Sequence, residues 1–236
     1  MSFLARIFEL VGETASDAFS RIIEAIRTVF EGDPATRRKV AFSVAMIALS
    51  AKMAKADGIV SDAEVRAFRQ IFAIPPEESE NVARLYNLAK QDVAGFEFYA
   101  SKLASLCGSG ENNCLLLEDI LDGLFHIAKA DGAIHRSEMA FLEAIARIFR
   151  IDESHFEQIM ARHVHIGGFD PYKVLGVSRD ADFQDIKRRY RQAVAANHPD
   201  RLIARGVPQE FLAIATDRTA RLNAAYEAIE RDRIAA

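Results

Sequence analysis

The chain has 236 residues, half of them apolar, with 30 Lys plus Arg against 34 Asp plus Glu and a formal charge of -4. That is enough apolar material for two modest cores, which excludes wholesale disorder, and the acidic balance excludes a general nucleic-acid binder. Charge is unevenly shared, since residues 169–236 hold 12 Lys plus Arg and 10 Asp plus Glu, leaving 18 against 24 for residues 1–168.

Residues 1–32 read as an amphipathic helical segment. Phe3, Leu4, Ile7, Phe8, Leu10 and Val11, then Phe19, Ile22, Ile23, Ile26 and Phe30, recur at helical spacing. Arg6, Glu9, Glu13, Asp17, Arg21, Glu24 and Arg27 interrupt the run of about 20 apolar residues that a membrane span requires, and the pattern of a signal peptide is absent. The apolar face suits packing on the next domain or on a second copy of the chain, with contact on a membrane surface as the alternative. A cytoplasmic chain, or one peripheral on the inner membrane, is the expectation.

Gly32-Asp33-Pro34 ends this segment. Strand signals are scarce and apolar residues recur every three or four positions almost to the end, so the fold class is all-α. A helical domain runs from residue 35 to 164, Gly167-Gly168 forms a hinge within 165–168, and residues 169–236 make a second domain. Cys107 and Cys114 flank Gly108-Ser109-Gly110 and are able to pair or to hold a metal; with only two and no matching His cluster, reduced thiols are the expectation.

The first domain contains an internal repeat. Met53-Ala54-Lys55-Ala56-Asp57-Gly58-Ile59-Val60, with Glu64, recurs as Ile127-Ala128-Lys129-Ala130-Asp131-Gly132-Ala133-Ile134, with Glu138. Apolar helices follow, Val65 to Phe72 and Met139 to Phe149. Gly58 and Gly132 suit the left-handed residue that closes a helix, and Ser61-Asp62-Ala63-Glu64 reads as a capping box, weaker in the second copy where His135 replaces Ser61. Asp57, Glu64, Asp131 and Glu138 are carboxylates at matching positions, either oxygen donors for a hard cation or residues that fix the turns and cap the helices. The repeated Ala-Lys-Ala-Asp-Gly turn with its later Glu resembles the TerB-type helical domain over roughly residues 35–164. That resemblance implies a divalent cation held through Asp57, Glu64, Asp131 and Glu138.

In the second domain Asp170 and Pro171 open a short helix that Gly176 closes. A cap at Ser178 or Asp180 precedes a helix over 182–197, with Phe183, Ile186, Tyr190, Ala193 and Val194 on one stripe and Lys187, Arg188 and Arg191 on the remaining surface. Pro199 disfavours the helical conformation at His198 and ends the helix, leaving His198 and Asp200 on a loop to which residues 202–207 give room. No nucleophile motif accompanies them, so partner docking fits better than catalysis and no enzyme is expected. A third helix begins near Pro208, and its Phe211, Leu212, Ala215, Leu222, Ala225, Tyr226 and Ile229 are expected to close on Tyr172, Leu175, Ile186 and Tyr190.

Short helix, basic helix, His198-Pro199-Asp200 and apolar helix in that order resemble a J-domain. The resemblance implies that Lys187, Arg188 and Arg191 meet an acidic surface of a DnaK-type chaperone, with His198, Pro199 and Asp200 docking beside it to favour ATP hydrolysis. Many J-domains carry a Lys-Phe pair where this chain has Arg218-Thr219, and no Gly/Phe-rich linker or CxxC repeat is present. The whole order resembles the DjlA family of bacterial co-chaperones, which implies a chaperone partner with unknown clients, no required cofactor, and a TerB-like domain that gives localisation or client specificity. A cation- or stress-sensing adaptor, in which the J-domain only recruits chaperone, is the rival expectation. Homodimerisation or peripheral membrane contact would fall to residues 1–30.

Overall fold

Asp33 and Pro34 start the helix on which the rest is assembled. The Asp33 carboxylate accepts from the Thr36 amide at 3.1 Å, and Pro34 takes the first helical position, where no amide donor is needed. The computed structural model describes residues 18–29, 33–57, 79–91, 95–105, 114–130, 132–164, 170–204 and 212–235. Among the described residues every regular element is a helix, in agreement with the all-α reading. In chain order these are α1 (Ala18–Val29), α2 (Pro34–Asp57), α3 (Ser79–Gln91), α4 (Phe96–Ala104), α5 (Leu115–Ala128), α6 (Arg136–Ile148), α7 (Glu153–His163), α8 (Pro171–Leu175), α9 (Phe183–Ala196), α10 (Pro199–Ala204) and α11 (Leu212–Ala235).

From Val40 to Ala54, α2 is buried almost all round, because Val, Phe, Met, Ile, Leu and Ala occupy every face rather than one stripe. Helices α1, α3, α4, α5 and α6 pack around it. On α1 the apolar stripe points inward: Phe19, Ile22, Ile23 and Ile26 are buried, and the Phe19 ring stacks on Tyr99 at 3.9 Å. This half of the amphipathic segment therefore packs on the next domain, and its stripe is not free for a membrane or a second copy. The stretch from Phe3 to Val11, and Phe30, lie outside the described residues. No described helix is long and apolar enough to cross a membrane.

The second copy of the repeat closes as its glycine suggests. Gly132 has φ +105°, and its amide donates to the Lys129 carbonyl at 2.9 Å. The first copy beyond Asp57, with Gly58, Glu64 and the helix over 65–72, lies outside the described residues, as does the Gly167-Gly168 hinge. One correction concerns the thiols: Cys114 is disulfide-bonded rather than reduced. Two cysteines at this spacing fit either state, so count and spacing alone did not decide it; Cys107, the chain's other cysteine, lies outside the described residues.

Helices α8 to α11 form the C-terminal unit. The Asp170 carboxylate accepts from the amides of Tyr172 and Lys173 at the start of α8, and Gly176 ends it at φ +64°. The cap of α9 is Asp182, whose carboxylate accepts from the Gln184 amide at 2.7 Å, and not Ser178 or Asp180. A cap must directly precede the first helical residue, and Ser178 instead closes the preceding turn by accepting from the Asp180 amide at 3.3 Å. Tyr172, Val174, Leu175, Ile186, Ala193, Leu222, Ala225, Tyr226 and Ile229 make the small core.

The start of α11 departs from the expected packing. Leu212 and Ala215, assigned by periodicity to the small core, join Ile214 against the large core of the preceding domain. Leu202, assigned to a roomy loop, is 2% exposed in that same large core. Phe211 lies outside the described residues. The two units thus share apolar surface.

Gly176 tests the local account. A β-carbon there would meet the Gln158 side chain at 2.8 Å on a left-handed backbone, so Gly176→Ala is expected to destabilise the chain by roughly 1 kcal/mol in urea unfolding. An unchanged midpoint would contradict the reading.

Candidate docking site

Pro199 both ends one helix and starts the next. It keeps His198 out of α9, as expected, but it takes the first position of α10, so Asp200 lies in a helical first turn and not on an open loop. The His198 carbonyl accepts from the amides of Arg201 at 2.9 Å and Leu202 at 3.1 Å, while its Nδ1 accepts from the Asp200 amide at 3.3 Å. This tight turn leaves the chemistry outside. The His198 side chain is 61% exposed and that of Asp200 87% exposed.

On α9, Arg188 and Arg191 are exposed and Lys187 is half-buried. Their spacing puts them on neighbouring positions of one helix surface leading toward His198. Arg188 pairs with Asp185 at 2.8 Å, an exposed contact that stabilises by about 0.2–1 kcal/mol and is readily exchanged for another carboxylate. The six residues expected to dock a partner thus lie on α9 and on the turn that directly follows it. Arg189, on the other side, donates to Gln158 of α7 at 3.3 Å.

The turn is pinned from behind at both ends. Leu202 enters the large core, and Asn197, buried at the end of α9, accepts from Nη1 of Arg218 at 2.7 Å. Arg218 also reaches α5: Nη1 donates to Asp119 at 3.2 Å, while Nε and Nη2 donate to Asp122 at 3.2 and 2.7 Å. Asp122, its side chain 1% exposed, further accepts from Arg162 at 3.3 Å and His163 at 3.1 Å. Nearby, Asp217 of α11 accepts from Lys129 at 3.3 Å and from Arg221 at 3.0 Å. Lys129 belongs to the repeated Ala-Lys-Ala-Asp turn, so the second copy has a structural use in joining the domains.

Electrostatics in this junction follow from burial and charge balance. Burial opposes ionisation of Asp122, but Arg218, then His163 and Arg162, outweigh it and hold the carboxyl well below the usual range. Burial also works against Arg218, yet Asp122 and Asp119 raise it, and Arg162 is pulled down only to about 10 by its own burial. Two carboxylates thus face two guanidiniums. Burial pushes His163 down to about 4 despite the pull of Asp122, so at neutral pH the ring is uncharged and donates from Nε2. Among the described residues its Nδ1 has no hydrogen-bond partner, which suits a bare lone pair better than an N–H, and the ring lies nearly parallel to Phe125 at 5.3 Å.

Family models match both parts of the chain: tellurite resistance protein TerB over residues 43–161, and the DnaJ domain over residues 170–233. Co-chaperone protein DjlA of Photobacterium profundum is 30% identical over 222 residues, covering 83% of this chain and 79% of that protein. The chain belongs to the DjlA co-chaperone family. The DjlA proteins of Coxiella burnetii, 29% identical over 77% of this chain and 73% of their counterpart, and of Legionella pneumophila, 27% identical over 80% and 76%, are similar in extent. No solved structure matches the chain.

Within this DjlA-type chain the acidic turns look different from the junction. Glu138, of the four candidate cation ligands the one whose side chain is described, is 2% exposed and accepts from the His135 amide at 2.8 Å, a helix-capping use of its carboxylate. Glu64 and Asp131, and the side chain of Asp57, lie outside the described residues. Among the described residues no group of three or more His, Cys, Asp or Glu is placed to hold a metal ion. The polar residues that sequence reasoning missed are Asp119, Asp122, Arg162 and His163. Their signal was available in Asp119 and Asp122, two carboxylates three residues apart among Leu116, Leu117, Ile120, Leu121, Leu124 and Phe125.

His163 supplies a pH test. Its folded pKa lies below the unfolded value of about 6.5, so the unfolded chain binds more protons between pH 6.5 and 4. Its contribution is complete above pH 6.5 and falls as pH drops toward 4, by roughly 3 kcal/mol. Urea unfolding midpoints from pH 7.5 to 4.5 are expected to fall less steeply in His163→Gln than in the wild type; identical slopes would contradict the assignment.

Proposed function

We propose that this chain docks on a DnaK-type chaperone through its J-domain and stimulates that chaperone's ATP hydrolysis, while the TerB-like unit supplies localisation or client specificity. The observation that carries the reading is the exposed His198-Pro199-Asp200 turn at the end of a basic helix surface, with the neighbouring Asn197 and Leu202 buried. A partner reaches the turn without unfolding anything, and its ordering is already complete, which lowers the entropic penalty of docking.

Charge divides the work. Lys187, Arg188 and Arg191 steer the approach to an acidic surface and set the register, an effect that weakens as salt rises. The Asp200 carboxylate then pairs with a cation on the chaperone and favours its hydrolysis-competent state. The related DjlA proteins are called co-chaperones, which agrees with this role.

Single-turnover ATP hydrolysis by purified DnaK is the test. The full chain is expected to accelerate it, and His198→Gln and Asp200→Asn each to remove the acceleration while leaving the fold unchanged by circular dichroism. No acceleration by the wild type, or full acceleration by both variants, would overturn the proposal.

A further inference from the structure

Arg218 stands at a position where many J-domains have lysine, and it makes contacts that a lysine has no geometry to make. Its planar guanidinium meets Asp122 through Nε and Nη2, and through Nη1 it meets both Asp119 and the Asn197 side-chain oxygen at 2.7 Å. An ammonium group is a single point of three donors, and cannot span three acceptors on two helices in this way. The Asn197 amide is fully committed in one orientation, its Nδ2 donating to the Ala193 carbonyl at 2.7 Å while its oxygen accepts from Arg218. Asn197 directly precedes His198. A connected path therefore runs from two aspartates of the TerB-like unit, through one arginine of α11, to the buried residue just before the exposed turn.

We propose that Arg218 is a positioning residue for the His198-Pro199-Asp200 turn, transmitting the placement of Asp119 and Asp122 to the turn through Asn197. The TerB-like unit is then part of the docking apparatus and not only an address or client module. Rigid placement matters because a docking group displaced by about 1 Å loses a large share of its effect. The basic surface formed by Lys187, Arg188 and Arg191 lies apart from this path, so disturbing the path alters how well the turn acts once docked more than how readily the partners meet.

The part of this inference that concerns chaperone activity rests on the proposed function, whereas the ordering of the turn is measured without any chaperone. Two variants of the full chain separate the cases. Arg218→Lys keeps the charge beside Asp119 and Asp122 but loses the fork, whereas Asn197→Ala leaves the fork on the aspartates and cuts the link to the turn. Hydrogen exchange at the amides of Asp200, Arg201 and Leu202 is expected to quicken about fivefold or more in Arg218→Lys and Asn197→Ala. In DnaK assays the maximal stimulation at saturating co-chaperone is expected to fall about tenfold in both, with the half-saturating concentration within about twofold of wild type.

Wild-type exchange at the turn in both Arg218→Lys and Asn197→Ala would overturn the inference. Loss through a raised half-saturating concentration alone would also overturn it, since that is the signature of encounter and not of positioning. A wild-type chain that leaves DnaK hydrolysis unchanged would instead overturn the proposed function, while faster exchange in the two variants would still support the link from Arg218 to the turn.

Discussion

The buried carboxylate of Asp122 is the constraint on which the arrangement of the two domains depends. A side chain 1% exposed cannot remain ionised without partners, and its partners come from both sides: Arg162 and His163 from α7 of its own domain, and Arg218 from the J-domain. Removing one partner of such a pair leaves an uncompensated charge, a loss of about 3–5 kcal/mol, so separating the domains is opposed by the same charge that holds them together. Apolar burial acts in the same place, with Leu202, Ile214 and Ala215 set into the large core.

This junction explains an otherwise odd distribution of exposure. The segment from Asn197 to Leu202 is buried at its ends and open in its middle, where His198 and Asp200 face solvent. Two opposed anchors on a six-residue span fix a tight turn better than a free loop would, and Pro199 removes further freedom by fixing its own φ. Lys129 and Arg221 on Asp217 add a second polar contact beside the first. Gln158 braces the opposite end of the J-domain, donating to the Val174 carbonyl at 3.4 Å and accepting from Arg189.

Local grammar made much of this legible from sequence. Asp33-Pro34, Asp170-Pro171, Gly132 and Gly176 act as the caps and turns their residue types imply, and the spacing of Phe19, Ile22, Ile23 and Ile26 identifies a buried stripe. The six residues proposed to dock a partner were readable because they form a compact, ordered pattern. What periodicity does not carry is the identity of the partner surface: Ala215 is buried and Leu212 partly buried, but against the neighbouring domain. Long-range polar pairs are equally silent in sequence, since Arg218 and Asp119 lie 99 residues apart. The Arg218-Thr219 departure, read beside two aspartates in an apolar helix, was the available hint.

Segment-resolved hydrogen exchange of the full chain across a urea series tests most directly whether the two domains stand or fall together. If the Asp122 junction governs the molecule, amides of α5 and of α11 near Arg218 lose protection in one transition with the same midpoint and slope. Loss of protection in α11 at lower urea and with a smaller slope, while α5 stays protected, would contradict that account.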